Sequence, residues 1–298
     1  MPLLDRIRIG ISGWNYPGWR GKFYPKKLPH RRELSYAAGV FRTIEINGTF
    51  YSLKRPENFA QWFADTPDDF VFSVKGSRYL THMLRLRNVA KPLANFFASG
   101  LLRLGLKLGP ILWQLPASFS FDPKRLEAFF KLLPRDTEAA AALARRHDKR
   151  VSGRTWLKAD AVRSIRHCIE IRHKSFVVPE FIDLLRKHDL ALVCADTVEW
   201  PRLVDVTSNF VYCRLHGSEE LYASGYDDDA LRLWATRVAE WARGNESPDG
   251  DRVMPAVPSK QAARDVFVYF DNDAKIRAPF DAQALLSRVK NRISSGSL

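Results

Sequence analysis

The run Cys168-Ile169-Glu170-Ile171-Arg172 alternates apolar and polar side chains, the pattern of a β-strand with two unlike faces. Its isoleucines suit a layer of helices, and Glu170 and Arg172 share the opposite face. Similar short runs recur upstream at residues 7–13, 43–47, 70–75 and 111–115, and downstream at 192–196, 210–215 and 266–270; the run at the centre spans 167–172. Amphipathic stretches of helical length separate them at 32–40, 56–65, 89–106, 123–132, 179–188 and 228–243, with another at 281–290. The connection after Asp196 is short and only weakly helical, around 200–207. Eight strands alternating with helices predict parallel βαβ units closing into a TIM-type (β/α)₈ barrel, an α/β fold of about 250 residues. An open doubly wound sheet is the competitor, but no Gly-x-Gly-x-x-Gly follows any of the strands.

The chain of 298 residues therefore reads as one barrel domain, 1–298, and its 46% hydrophobic content suffices for a large core. Two segments exceed a minimal barrel. Residues 136–156 start as an Ala-rich helix and continue into a basic insertion before strand 5, and the Gly/Pro/Ser-rich residues 244–264 form a mobile loop before strand 8. The tail, 294–298, is expected to fray. Cys168, Cys194 and Cys213 lie inside strands without metal-ligand spacing, so buried reduced thiols and a cytoplasmic location are expected. Asp5, Arg6 and Arg8 interrupt any signal-like apolar start, and Arg103, Lys107 and Pro110 break the most apolar stretch, so no membrane association is expected.

Chemistry in such a barrel gathers where the strands end at their C-terminal side. Parity then selects the residues that point inward: Glu45 and Asn47, Lys75, Gln114, Glu170 and Arg172, Cys194 and Asp196, and Tyr212, Arg214 and His216. At Asp271-Asn272-Asp273 the parity is ambiguous, and Ser12, Gly13 and Trp14 close the ring. Buried charge is costly unless paired, so such a ring marks either a binding or catalytic centre or an internal ion network joining Glu45, Glu170 and Asp196 to Lys75, Arg172 and Arg214.

Five ordered segments carry a resemblance: Glu45-Ile-Asn-Gly-Thr-Phe-Tyr51, Gln114-Leu-Pro116, Glu170-Ile-Arg-His173, Arg214-Leu-His-Gly217 and Tyr269-Phe-Asp-Asn-Asp273. Over residues 6–289 the chain resembles the DUF72 family of YecE-like proteins. The resemblance implies a TIM barrel and assigns no activity. In the family the last motif more often reads Phe-Asn-Asn-Asp; Asp271 replaces its first Asn, an added carboxylate able to alter metal affinity or pair with a neighbouring Arg.

Two functional classes follow. In the first, an enzyme takes a small anionic substrate, phosphorylated sugars being one example. Lys75, Arg172 and Arg214 would bind the anion with Asn47, Gln114, His173, Gly217 and Asn272 as further contacts, and Gly217-Ser218 would offer backbone N–H groups to phosphate. Glu45, Glu170, Asp196 and His216 would move protons, in a hydrolase, lyase or isomerase. The same four are also a donor set for a divalent metal, although no His-x-His or His-Glu-x-x-His spacing occurs and three inward cations oppose it. In the second class, a net charge of +14 and the aromatics interleaved with bases from Trp14 to Lys27 serve a nucleic-acid-binding protein or nuclease. Against this, the prolines at 17, 25 and 29 favour a packed lid over the barrel mouth. A nucleophilic Ser or Cys triad finds no support, and His82 and His167 read as structural.

Overall fold

The structure is a computed structural model that describes residues 2–217, 221–222, 224–247, 249–256 and 262–294. Eight parallel strands close in sequence order, β1 (Ile7–Ser12), β2 (Thr43–Ile46), β3 (Val71–Lys75), β4 (Leu108–Gln114), β5 (His167–Glu170), β6 (Ala191–Asp196), β7 (Phe210–Leu215) and β8 (Asp265–Phe270). Closure is by pairing of β1 with β8, in register from Ile7–Val266 to Ile11–Phe270. The expected (β/α)₈ barrel is thus the observed one.

Helices wrap it: α1 (Glu33–Val40), the single turn α2 (Gly48–Tyr51), α3 (Pro56–Ala64), α4 (Ala90–Ala98), α5 (Pro123–Leu132), α6 (Thr137–Ala144), α7 (Pro179–Lys187), α8 (Asp228–Ala242) and α9 (Ala278–Ser294). Helix starts follow local chemistry. Asp122, Asp136 and Asp227 accept from the amides of Arg125, Ala139 and Ala230, and Pro occupies the first turn of α3, α5 and α7.

Two connections depart from the sequence reading. The stretch 89–106 is not one helix: Gly100 takes φ +119°, and a Cβ there would stand 2.6 Å from Cα of Pro56, so α4 stops and a 3₁₀ segment, Leu101–Lys107, leads into β4. After β6 there is no helix between Thr197 and Asn209. Pro201 and the run Val204–Thr207 oppose one, and side chains tie the segment down as coil. Thr207 Oγ1 donates to the Leu190 carbonyl and accepts from the Leu192 amide, while the Asp205 carboxylate accepts from the amides of Val253 and Met254. Residues 257–261, within the loop expected to be mobile, and 295–298 of the tail lie outside the described residues.

Two cores result. The larger lies between strands and helices; the smaller fills the barrel with Leu112, Cys168, Ala191, Val193, Ala195, Phe210, Tyr212, Phe267 and Tyr269. Alternation along each strand sorts residues between them. Gly10 marks how tightly the barrel is drawn, since a Cβ there would meet the Thr43 carbonyl oxygen at 2.0 Å. Thr43 cannot yield, because its hydroxyl donates to the Val71 carbonyl and lies 2.7 Å from the Tyr269 hydroxyl. Gly10→Ala should therefore cost on the order of 3 kcal/mol through overpacking, read as a lower denaturation midpoint; an unchanged midpoint would contradict this closure of the barrel.

Candidate active site

The strand ends converge on Arg214, which comes from β7 and has no solvent exposure. Its Nη2 donates to Glu45 Oε1 at 2.9 Å and to Asp271 Oδ2 at 2.8 Å, and its Nη1 to Glu170 Oε2 at 2.8 Å. Its Nε reaches Glu45 Oε2 at 3.1 Å. One guanidinium thus joins carboxylates from β2, β5 and the end of β8. Glu45 is saturated by Ser12 Oγ at 2.8 Å and by the Tyr212 hydroxyl, which donates to it at 2.6 Å. On the far side of Glu170, Arg172 donates Nε to Oε1 at 2.8 Å, stacks its guanidinium 4.0 Å from the Trp200 ring centroid and donates Nη2 to the Tyr222 hydroxyl.

These contacts fix the charge states. Burial alone would raise the Glu170 carboxyl, but Arg172 and Arg214 outweigh it and hold the group well below the usual carboxylate range. The same contest, won chiefly by Arg214, keeps Asp271 ionised. His216 is fully buried between them. Burial lowers its pKa, and Nδ1 lies 3.3 Å from Asp271 Oδ2 without the alignment of a hydrogen bond. It is a neutral imidazole near pH 7.

Lys75, at the end of β3, is different. It is only 8% exposed, its ammonium makes no ion pair or hydrogen bond among the described residues, and Nζ lies 4.5 Å from the Phe50 ring centroid. Burial, reinforced by Arg214, lowers its pKa to about 8 against the pull of Glu45, Asp271 and Glu170. His82 packs edge-on against the same Phe50 ring, and burial together with Arg172 and Lys75 lowers it to about 4.

Glu45, Glu170, Arg172, Arg214, His216 and Lys75 are therefore gathered at one mouth. Gln114 lies beside them, in register with Glu170, and Asn47 ends β2 with a buried Oδ1 that has no partner among the described residues. Other expected site residues lie elsewhere or have partners of their own. Asp196 does not face the barrel: residues 191, 193 and 195 do, so Asp196 turns outward to accept from Arg202 at 2.8 Å and from Trp234 Nε1 of α8. Cys194 follows the same parity into the helix-side core. Asn272 turns behind the sheet, donating to the Ser224 carbonyl and to Asp281 of α9. His173 caps the short turn after β5, accepting from the Ser175 amide, and its Nδ1 lies 2.8 Å from the Ser175 hydroxyl. The Gly217 amide donates to the Tyr226 hydroxyl, which withdraws it from any phosphate cradle, and Ser218 lies outside the described residues.

Arg214 also occupies the space between Glu45 and Glu170, two of the residues considered as metal ligands, and among the described residues no group of three or more His, Cys, Asp or Glu side chains could hold a metal ion. The aromatics from Trp14 to Tyr24 pack as a lid: Trp19, Phe23 and Tyr24 are buried, Trp19 Nε1 donates to Asp273, and the Tyr16 hydroxyl donates to the Ser12 carbonyl. Asp271, read in sequence as able to pair with a neighbouring Arg but left without a parity, is the inward partner of Arg214; His82, read as structural, and Trp200 and Tyr222, missed in sequence, also stand at the mouth. Asp271 was accessible by counting parity back from Tyr269; the other three sit on irregular backbone, where no period exists.

The family model described as "Protein of unknown function DUF72" matches residues 8–296. The chain belongs to the DUF72 family. It is 32% identical over 127 residues to the UPF0759 protein YecE of Escherichia coli K12, covering 43% of each chain. To the UPF0759 protein YunF of Bacillus subtilis it is 31% identical over 75 residues, 26% of that protein. The matched stretches thus span less than half the length of these curated relatives. Crystal structures of DUF72 proteins share the fold: one from Thermotoga maritima, 23% identical, gives a TM-score of 0.71 with 95% of this chain and 99% of that one covered. Another, from Enterococcus faecalis, is 16% identical, with a TM-score of 0.65 and 95% of each chain covered.

Two outcomes follow from the DUF72 mouth seen here. Arg214→Met leaves Glu45 and Asp271 without their ion-pair partner and Glu170 with Arg172 alone, and should lower unfolding free energy by about 3–5 kcal/mol, measured by chemical denaturation; a loss under 1 kcal/mol would refute the central role of this guanidinium. Lys75 has the opposite sign. Its folded pKa of about 8 lies below the usual 10.5, so below pH 8 the folded state carries a desolvation penalty of about 3 kcal/mol. Lys75→Met should therefore be the more stable protein at pH 7, and its advantage should shrink as pH rises from 8 to 10.5.

Proposed function

We propose that the barrel mouth is the active site of an enzyme acting on a small anionic substrate. The observation that carries this reading is the unpaired Lys75. Glu45, Glu170 and Asp271 are all held by Arg214 or Arg172, which leaves a nearly buried ammonium with no protein anion to meet it. Lys75 offsets, only at a distance, the one negative charge that three carboxylates leave over two arginines; with no ion-pair partner among the described residues, its ammonium stays open to a substrate anion. The substrate's negative group would lie between Lys75 and the Arg172 guanidinium, against the Trp200 and Phe50 rings, with Gln114 and Asn47 offering amides.

The proton-moving roles read from sequence are redistributed. Glu45 and Glu170 are anchors whose lone pairs are taken, and Asp196 is turned away. His216 is the neutral base within this cluster, and Lys75 titrates near neutrality. Hydrolase, lyase and isomerase chemistry all fit this set. Three buried free cysteines accord with a reducing compartment such as the cytoplasm, and among the described residues no helix is long and apolar enough to cross a membrane. The nucleic-acid alternative loses its stacking platform, because Trp19, Phe23 and Tyr24 are spent on the lid.

The test is thermal stabilisation by a panel of phosphosugars and small carboxylates at low and moderate salt. Stabilisation of at least 2 °C by some member, kept at moderate salt and lost in Lys75→Met, is expected. Stabilisation by short oligonucleotides alone, falling steeply with salt, would overturn the reading in favour of nucleic acid.

A further inference from the structure

Lys75 has a second property that anion binding does not require. Anions are more often gripped by guanidinium, whose fork of donors stays charged at any working pH, and two guanidinium groups already stand in this mouth. An amine buried near Arg214, against an aromatic ring and in no ion pair with a carboxylate among the described residues, is placed as a nucleophile is placed: desolvated and near another cation. Its backbone is fixed as well, since Thr49 Oγ1 donates to the Lys75 carbonyl at 2.7 Å and to that of Ile46 at 2.9 Å. The side chain thus starts from a rigid strand end and projects into the mouth.

We infer that Lys75 is a covalent nucleophile that captures a carbonyl group of the anionic substrate as an imine. This rests on the reading of the mouth as an anionic-substrate site and narrows the substrate to aldehydes or ketones bearing a carboxylate or phosphate. In the step, the neutral Nζ attacks the carbonyl carbon and the C=O electron pair moves to oxygen, which takes up a proton. The carbinolamine loses water as C=N forms. The balance is amine plus carbonyl giving imine plus water, with no oxidant or reductant. Arg172 holds the substrate's anion during capture, and Arg214 stays with its three carboxylates. Lowering of the lysine to about 8 makes the neutral amine about 300-fold more abundant at pH 7 than in an ordinary lysine at 10.5.

The experiment is reductive trapping of the full-length protein at pH 7 with two anionic aldehydes, glyoxylate and pyridoxal 5′-phosphate, each with cyanoborohydride, followed by peptide mapping. Lys75 should be modified at least tenfold faster than any other lysine, and phosphate or a small carboxylate that stabilises the protein should protect it. Lys75→Arg keeps the charge but forms no imine; it should retain anion stabilisation and lose the fast-labelling site. If Lys75 in the wild-type chain labels no faster than surface lysines with either probe, the inference fails, while stabilisation by anions would leave the anionic-substrate reading standing. Absence of both labelling and anion stabilisation would sink the two together. Mapping on the wild-type chain makes the outcome independent of whether the variant folds.

Discussion

A guanidinium with no solvent contact must be neutralised where it stands, and Arg214 stands on the axis of the barrel. Three carboxylates supply that charge, and each arrives on a different strand: Glu45 on β2, Glu170 on β5 and Asp271 just beyond β8. The interaction therefore ties opposite walls of the barrel through one planar group. It works only if the strands are staggered so that these residues reach one level. Tyr212, one layer below on the same strand, bridges to Glu45 and to Ser73 of β3, which carries the constraint into the barrel interior.

Electrostatics of the mouth follow from that choice. Three carboxylates are shared between two arginines, so their oxygens are already engaged and lost to proton transfer. What remains free is cationic or neutral: Lys75, His82 and His216. Three acids against three cations leave the mouth neutral overall, so any pull on an anion is local to the unpaired Lys75 ammonium and does not depend on the overall +14, which is screened within about 10 Å at ordinary ionic strength. The Phe50 ring lies against Lys75 and the Trp200 ring against Arg172, so each of these cations has an aromatic face beside it.

Most of the site was legible because parity in a strand is strict. Knowing that Glu45 faces inward, one reaches Thr43; knowing Arg214, one reaches Tyr212 and His216. The reading failed where polarity was used in place of parity. On β6 the apolar run Ala-Leu-Val-Cys-Ala-Asp gives no hint of its inner face, and choosing the ionisable Asp196 reversed the assignment. Small Ala191, Val193 and Ala195 face the barrel because the bulky Tyr212 and Tyr269 already fill it. The same error placed Asn272 in the site when its neighbour Asp271 belongs there.

The sequence by itself determined the strand and helix order, the closed barrel, the inward charges on β2, β3, β5 and β7, and membership of the DUF72 family, because periodicity and motif spacing are properties of the chain alone. Only the tertiary structure decided which inward charges are partners. Pairing depends on distances between strands far apart in sequence, and those are set by barrel closure. Three acids and three cations looked balanced in sequence. In space Asp196 leaves, Asp271 enters, Arg214 takes three partners, and Lys75 is left without an anion.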